Sequence, residues 1–128
     1  MKLKLMLLCA SAILFLTACG KDKENCPSDD LGSVIVGLWD VNALGQAVGQ
    51  VEFKADGTLI DQNDVLIGGE VNGTTLDEKT YTVPSNQTLK AKAAKGSQFT
   101  EVEFDVSNFS CDEVQLTVLG LSATLTRR

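Results

Sequence analysis

Apolar and polar residues alternate along most of this chain from Val34 onwards, and this pattern limits the fold more than any other feature of the sequence. In residues 101–108, for example, Val102, Phe104 and Val106 share one face, while acidic side chains occupy much of the other. A period of two is typical of a β-strand with one buried face. Beyond the N-terminal apolar run, we find no stretch with the 3.6-residue period of an amphipathic helix.

About eight or nine such strands follow one another, with turn signals roughly every 8–12 residues. Asp56-Gly57 and Asn72-Gly73 are the clearest signals, because such pairs favour the tight turn of a β-hairpin. One polar face per strand favours an antiparallel meander, and so many strands close on themselves because open edges invite aggregation. The sequence therefore predicts an all-β fold, an antiparallel up-and-down meander closing into a small barrel over residues 34–128, with a flattened barrel-like sandwich as the alternative. The expected strands include residues 49–55, 58–61, 65–71, 79–83, 89–94, 101–108, 114–118 and 121–125.

The first 18 residues have the layout of a secretory signal. Two lysines lie close to the start, residues 5–15 are apolar, and the string Leu-Thr-Ala-Cys follows. The apolar run is too short to span a bilayer. A buried N-terminal helix could have a similar run, but not the same order of basic flank, apolar core and small residues. We therefore expect residues 1–18 to be a signal peptide, removed between Ala18 and Cys19.

The string Leu16-Thr17-Ala18-Cys19 resembles the lipobox of bacterial lipoproteins. The resemblance implies that Cys19 becomes the first residue of the mature chain and is acylated on its thiol and on its new amino group. Two or three acyl chains hold a protein on a membrane far more firmly than one chain does. Residues 19–33 are charged and contain almost no apolar side chains, which predicts a lipidated, flexible tether ahead of the domain.

The four cysteines of the chain reduce to one candidate pair. Cys9 leaves with the signal peptide and Cys19 carries lipid, so that Cys26 and Cys111 remain. An exported protein enters an oxidising compartment, where two remaining thiols favour a disulfide. Two unpaired thiols, with Cys26 loose in the tether, are the alternative.

The formal charge of −6 and the lack of histidine exclude several classes of function. An acidic chain is not attracted to nucleic acid or to an anionic bilayer surface. Without histidine there is no His-based acid–base pair, triad or metal site. The acidic side chains fall in turns or on outward strand faces, Asp61 and Asp64 among them, which is typical of solvated residues. We therefore expect no enzymatic activity, no catalytic residues, no metal and no cofactor.

Two motifs resemble the lipocalin family. Gly37-Leu38-Trp39 is similar to the Gly-x-Trp entry strand of lipocalins, and the Phe-Lys-Ala-Asp-Gly-Thr string at residues 53–58 resembles a hairpin of small lipocalin-like lipoproteins from Bacteroidetes-type bacteria. The resemblance implies a lipocalin-like barrel in which Gly37 and Trp39 are structural, with the tryptophan packed under the barrel base. It also implies a lipid-anchored place in the cell envelope, on the periplasmic face of the outer membrane or at the cell surface. The sequence of 128 residues is shorter than a typical lipocalin, and we expect no equivalent of that family's C-terminal helix.

Two functions from different classes fit these expectations. A barrel interior either holds one small ligand or is filled by side chains. Binding of a small apolar ligand would draw on five inward-facing pocket candidates, which are Val51, Phe53, Tyr81, Ala91 and Phe104. Alternatively, the lipoprotein acts through its surface on an envelope protein partner, as an accessory subunit or an inhibitor. A cavity of a few hundred Å³ favours the first function, and a filled core favours the second.

Overall fold

The computed structural model describes residues 26–128, which form one short helix and ten strands. The signal peptide, the cleavage and lipidation site at Ala18 and Cys19, and the start of the expected tether lie outside the described residues. In the described part of the chain, no helix combines the length and the apolar character that a membrane crossing requires. In chain order, the elements are α1 (Leu31–Val34), β1 (Gly37–Ala43), β2 (Gln46–Phe53), β3 (Leu59–Ile60), β4 (Glu70–Val71), β5 (Thr74–Thr75), β6 (Glu78–Ser85), β7 (Thr88–Lys95), β8 (Gln98–Phe109), β9 (Glu113–Val118) and β10 (Leu121–Arg127).

Eight of the strands form one antiparallel sheet in the order β3-β2-β1-β10-β9-β8-β7-β6, and β4 and β5 form a separate hairpin. The first strand of the described residues pairs with the last, since β1 lies against β10 from Trp39↔Arg127 to Ala43↔Ala123. This pairing rolls the meander into a nearly closed barrel. The predicted all-β, antiparallel meander that closes into a barrel is therefore confirmed.

The barrel stays open along a seam between β3 and β6, where the sheet ends on both sides. The seam is bridged next to Tyr81, whose backbone N–H donates to the Gly57 carbonyl at 2.9 Å. The Tyr81 ring packs edge-to-face on Phe53, with ring centroids 4.9 Å apart, and its hydroxyl donates to the Lys54 carbonyl at 2.6 Å. Tyr81 therefore fastens β6 to the end of β2 and to the turn that follows it.

We expect the contribution of Tyr81 to the closure of the seam to depend on pH. Burial raises the pKa of the Tyr81 phenol above its ordinary value of 10.0, and the nearby Asp56 carboxylate acts in the same direction. The pKa of the Tyr81 phenol is higher in the folded state than in the unfolded state. The stabilisation by the protonated phenol is therefore present below about pH 10 and is lost as the pH rises through the folded-state pKa. We expect the stability difference between the wild type and Tyr81→Phe, measured by urea unfolding, to shrink above pH 10. Tyr81 is the only tyrosine, so its absorbance titration reports the pKa directly, and a midpoint at or below the ordinary value would contradict this account.

One end of the barrel, here called the base, is filled by Trp39. The side chain of Trp39 is fully buried, and its indole N–H donates to the Ile35 carbonyl at 2.7 Å. The Arg127 guanidinium lies over the indole ring, 4.2 Å from a ring centroid. Gly37 has a φ of +134°, and a Cβ at this position would lie 2.5 Å from Arg127 Nη1. The entry strand therefore requires glycine ahead of the buried tryptophan.

Arg127 also ties the segment that precedes β1 to the turn between β8 and β9. Its Nη1 donates to the Val36 carbonyl at 3.0 Å and its Nη2 to the Val34 carbonyl, while Nε donates to the Cys111 carbonyl at 2.6 Å. In the same turn, Cys111 forms a disulfide with Cys26, the pair expected from the sequence. The base is thus closed by one stacked cation and one covalent bond.

Ordered structure begins before the domain start that we expected at residue 34. The expected tether, residues 19–33, runs into α1, whose Leu31 is fully buried. The Leu31 backbone N–H donates to Asn86 Oδ1 at 3.0 Å, and Asn86 Nδ2 donates to the Asp29 carbonyl at 2.9 Å. Residues distant in sequence therefore hold Cys26, Asp29 and Leu31 on the barrel. Residues 19–25 of the expected tether lie outside the described residues.

Candidate functional site

The end of the barrel opposite the base, here called the mouth, is formed by hairpin tips. Strand β1 runs from Gly37 at the base to Ala43, and Ala43 pairs with Ala123 of β10. The β1–β2 tip, Leu44-Gly45, and the β9–β10 tip, Leu119-Gly120, therefore lie side by side at the mouth.

The mouth opens into an apolar cavity of about 390 Å³. Its walls come from five strands of the barrel and from the loop between β3 and β4, and no charged side chain is among the described residues that line it. Ligand pockets in proteins commonly measure about 300–1,000 Å³ and are mostly apolar. The lining residues are Val41, Ala43, Leu44, Val48, Val65, Leu66, Val102, Phe104, Val118, Leu119, Leu121, Ser122 and Ala123.

A buried carboxylate holds the loop that forms one wall of this cavity. Asp61 is 3% exposed, and its two oxygens accept hydrogen bonds from the backbone N–H groups of Val65, Leu66 and Ile67 at 2.7, 2.8 and 3.0 Å. The Lys79 ammonium also donates to the Asp61 carbonyl. This arrangement satisfies three backbone N–H groups with one side chain and keeps Val65 and Leu66 against the cavity.

Two expectations for this loop were wrong. Asp61 is buried, although its place among the turn acids predicted a solvated residue. Residues 65–71 were expected to form one strand, whereas only β4, Glu70–Val71, is a strand in that stretch. The reason is the same in both cases, because the carboxylate takes the N–H groups that a neighbouring strand would otherwise have used.

The five pocket candidates from the sequence do not meet at the mouth cavity. Phe104 lines it. Val51, Phe53 and Ala91 are buried in the barrel core, and Tyr81 lies at the seam. The alternation placed these residues on the inner side, but it could not show which inner positions are covered by neighbouring side chains.

Most of the lining residues were missed by the sequence reasoning. Val41, Val102 and Val118 follow the same alternation as the core valines, so nothing in their local sequence separates a cavity wall from a filled interior. One signal was available, since Leu44 and Leu119 each precede a glycine at a turn, where small polar residues are usual. Large apolar residues at two such tips could have pointed to this end of the barrel.

A second groove, of about 760 Å³, runs along the open seam. Its walls include Asp64, Asp77, Glu78 and Lys79, and Lys79 Nζ already pairs with Asp64 Oδ1 at 2.5 Å. Across residues 26–128, no group of histidine, cysteine, aspartate and glutamate side chains is arranged to hold a metal ion. The mouth cavity is therefore the candidate site, because its enclosure by apolar side chains is typical of ligand pockets.

The chemistry available at the mouth is that of apolar binding. The hydroxyl of Ser122 is the polar side-chain group among the lining residues, and these residues include no ionisable group. Comparison of the chain with protein-family models, with characterised proteins and with solved structures gave no match. What the site does is therefore inferred from its own geometry.

Proposed function

We propose that this protein is a lipid-anchored lipoprotein of the cell envelope whose barrel binds a small apolar ligand in the mouth cavity. The observation that carries the proposal is the cavity itself, about 390 Å³ of space lined by apolar side chains and open to solvent at one end of the barrel. The barrel would act as a carrier or receptor for the ligand and not as an enzyme.

The size and the lining of the cavity define the class of ligand. An apolar cavity of about 150 Å³ already accommodates a molecule of the size of benzene, so the mouth has room for a short acyl chain or a compact ring system. With no charged group on its walls, the cavity offers nothing to balance a ligand charge inside it. A charged head group, if the ligand has one, would stay at the open end in water.

The direction of entry follows from how the two ends of the barrel are built. The base is filled by the buried Trp39 side chain and covered by Arg127 and α1. The mouth is bounded by hairpin tips and by the loop that Asp61 holds. Ligand would therefore enter and leave through the mouth, while the base and its disulfide hold the barrel closed.

The anchor and the location of the protein rest on the N-terminal sequence. The resemblance of residues 16–19 to a lipobox supports acylation of Cys19 and a place on the outer membrane, at its periplasmic face or at the cell surface. The Cys26–Cys111 disulfide is consistent with an oxidising compartment outside the cytoplasm. The acidic chain gives no support for nucleic acid as a partner.

The test is binding of an apolar fluorescent probe, N-phenyl-1-naphthylamine, to the full-length protein extracted in mild detergent. We expect one probe per chain, and we expect Ala123→Phe, which places a ring in the cavity, to weaken binding about tenfold or more, a loss of at least about 1.4 kcal/mol. Ala94→Phe is the matched control, because Ala94 lies on the outward face of β7. Native mass spectrometry of the same preparation measures the acyl mass on Cys19.

Three results would contradict the proposal. A wild-type protein that binds no probe would leave only a role through the protein surface. Equal probe binding by the wild type and Ala123→Phe would place the ligand elsewhere. An unmodified Cys19 on a chain that still fractionates with membranes would remove the lipid anchor.

A further inference from the structure

Leu44 and Leu119 break the same local rule at the two neighbouring tips of the mouth. Each is followed by glycine, and each has a left-handed backbone, with φ of +52° and +50°. A two-residue hairpin turn with positive φ at both central residues favours asparagine or aspartate before glycine, because leucine crowds its own backbone in this region. The Asn72-Gly73 turn, with a φ of +51° at Asn72, follows that preference. The two leucines that depart from this preference, Leu44 and Leu119, therefore both lie at the mouth.

Both leucines are also exposed to water. Leu119 is 96% exposed and Leu44 77%, and Leu121 at 57% and Val48 at 45% extend the patch. We call these four side chains the apolar rim. All four also line the mouth cavity, so the rim is continuous with the cavity wall. An unfavourable backbone costs stability and exposed apolar side chains add none, and their coincidence at one place indicates a binding surface.

The parts of the two hairpins next to the rim contain no charged residue. Residues 41–51 and 114–126 are uncharged in a chain in which 22% of the residues are charged. No ionised group therefore has to lose its hydration when the tips enter an apolar phase. Nor is there a charge at the tips that could select and orient a protein partner.

The area of the rim is small for a protein partner. Buried completely, the exposed surface of these four side chains amounts to roughly 400 Å², about half of the ~800 Å² that each partner contributes to a stable protein interface. A lipid surface needs no matching shape, and apolar side chains at protruding tips enter it singly. The formal charge of −6 disfavours an anionic bilayer.

We propose that the apolar rim docks on the surface of a neutral, zwitterionic lipid bilayer, with Leu44 and Leu119 entering between the lipid head groups. The mouth would then open onto the lipid, so that an apolar molecule passes between bilayer and cavity without crossing water. Docking rests on the rim alone, whereas this transfer rests on the proposed function of the cavity.

The experiment places a tryptophan at the tip of the full-length protein. In the first arm, Leu119→Trp is reconstituted into vesicles of tail-brominated phosphatidylcholine. In the second arm, the protein is reconstituted into vesicles without bromine, and brominated vesicles are then added. We expect the new tryptophan to lose about half or more of its emission in at least one arm, because a docked tip lies about 5–10 Å into the lipid. The buried Trp39 gives the background, measured on the wild type. Gln87→Trp, in the β6–β7 turn at the base, is the matched control and stays unquenched.

Asparagine at the tips separates docking from folding. Leu44→Asn, added to Leu119→Trp, is expected to reduce the quenching at least about twofold, because one of the two docking leucines is lost. Replacing both leucines by asparagine creates two Asn-Gly turns, which suit this backbone. We expect that double variant to melt at the same or a higher temperature than the wild type. In hydrogen exchange, lipid vesicles should no longer protect the backbone N–H groups at its two tips.

Several outcomes would overturn the proposal. One is a Leu119→Trp signal that is unquenched in both arms, and another is equal quenching at Leu119→Trp and Gln87→Trp. A concentration-dependent dimer in detergent that the double asparagine variant abolishes would make the rim an interface between copies of this chain. The cavity variant Ala123→Phe distinguishes the two proposals, because it should lose the fluorescent probe and keep the tip quenching.

Discussion

Replacing Arg127 by alanine is expected to lower the free energy of unfolding by about 3 kcal/mol, since each hydrogen bond from a charged donor contributes about 1.5–3 kcal/mol and an orphaned buried acceptor costs about 1–3 kcal/mol. The guanidinium donates to the carbonyls of Val34, Val36 and Cys111. It also covers the indole of Trp39 at 4.2 Å from a ring centroid, so alanine exposes the buried tryptophan as well.

Such a loss is large for a domain of this size. Folded domains are stable by about 5–15 kcal/mol, and 1 kcal/mol shifts the melting temperature of a domain of 60–100 residues by about 4–8 °C. We therefore expect Arg127→Ala to melt at least about 10 °C below the wild type, as measured by circular dichroism. Lysine is expected to recover little, because one ammonium does not reproduce a planar group that reaches three carbonyls.

The neighbouring arginine provides the control for Arg127. Arg128 lies half-exposed, and its Nη1 is 3.6 Å from Asp40 Oδ1. Exposed ion pairs of this kind contribute about 0–1 kcal/mol. Arg128→Ala should therefore melt within a few degrees of the wild type. Equal losses at the two positions would mean that net charge, and not the contacts of Arg127 at the base, sets the stability.

Removal of the disulfide is expected to have the second largest effect. The bond joins Cys26 to Cys111 across a sequence separation of 85 residues. Cross-linking over so long a loop restricts the unfolded chain, and the chain-entropy model gives an upper value of about 4.5 kcal/mol, with about 2–4 kcal/mol typical. We expect the double variant Cys26→Ser, Cys111→Ser to unfold at a lower urea concentration, with the free energy reduced by this typical amount.

Reduction of the wild type is the check on the disulfide prediction. A thiol reductant should lower the stability of the wild-type protein to that of the double serine variant and leave the variant unchanged. Because the bond lies at the base and the cavity at the mouth, both proteins should still bind the fluorescent probe when folded. A double variant as stable as the oxidised wild type would contradict this prediction.

The alternation of apolar and polar residues predicted the inner and outer faces of the strands correctly. In β8 the alternate residues Phe104 and Val106 are buried, while the neighbouring Glu103 and Asp105 are exposed. The Asp56-Gly57 turn also follows β2 as expected. These features are local, because the period of a strand and the backbone preference of a turn depend on adjacent residues.

The pair of strands that closes the barrel and the position of the seam were beyond the reach of local patterns. Strands β1 and β10 pair across the whole domain, and the gap falls between β3 and β6. The short helix α1 was missed because a helix of four residues is too short to show a helical period. Asp61 was misplaced because its burial depends on three N–H groups that reach it after the loop has folded.

By itself, the sequence determined an all-β chain, the inner and outer faces of strands such as β8, and the two cysteines left to pair. Only the tertiary structure decided that the barrel is filled at the base and hollow at the mouth, with Phe104 at the cavity and Ala91 in the core. The physical reason is that alternation reports which face a side chain occupies, whereas a cavity depends on which side chains from distant strands meet at the same height in the barrel.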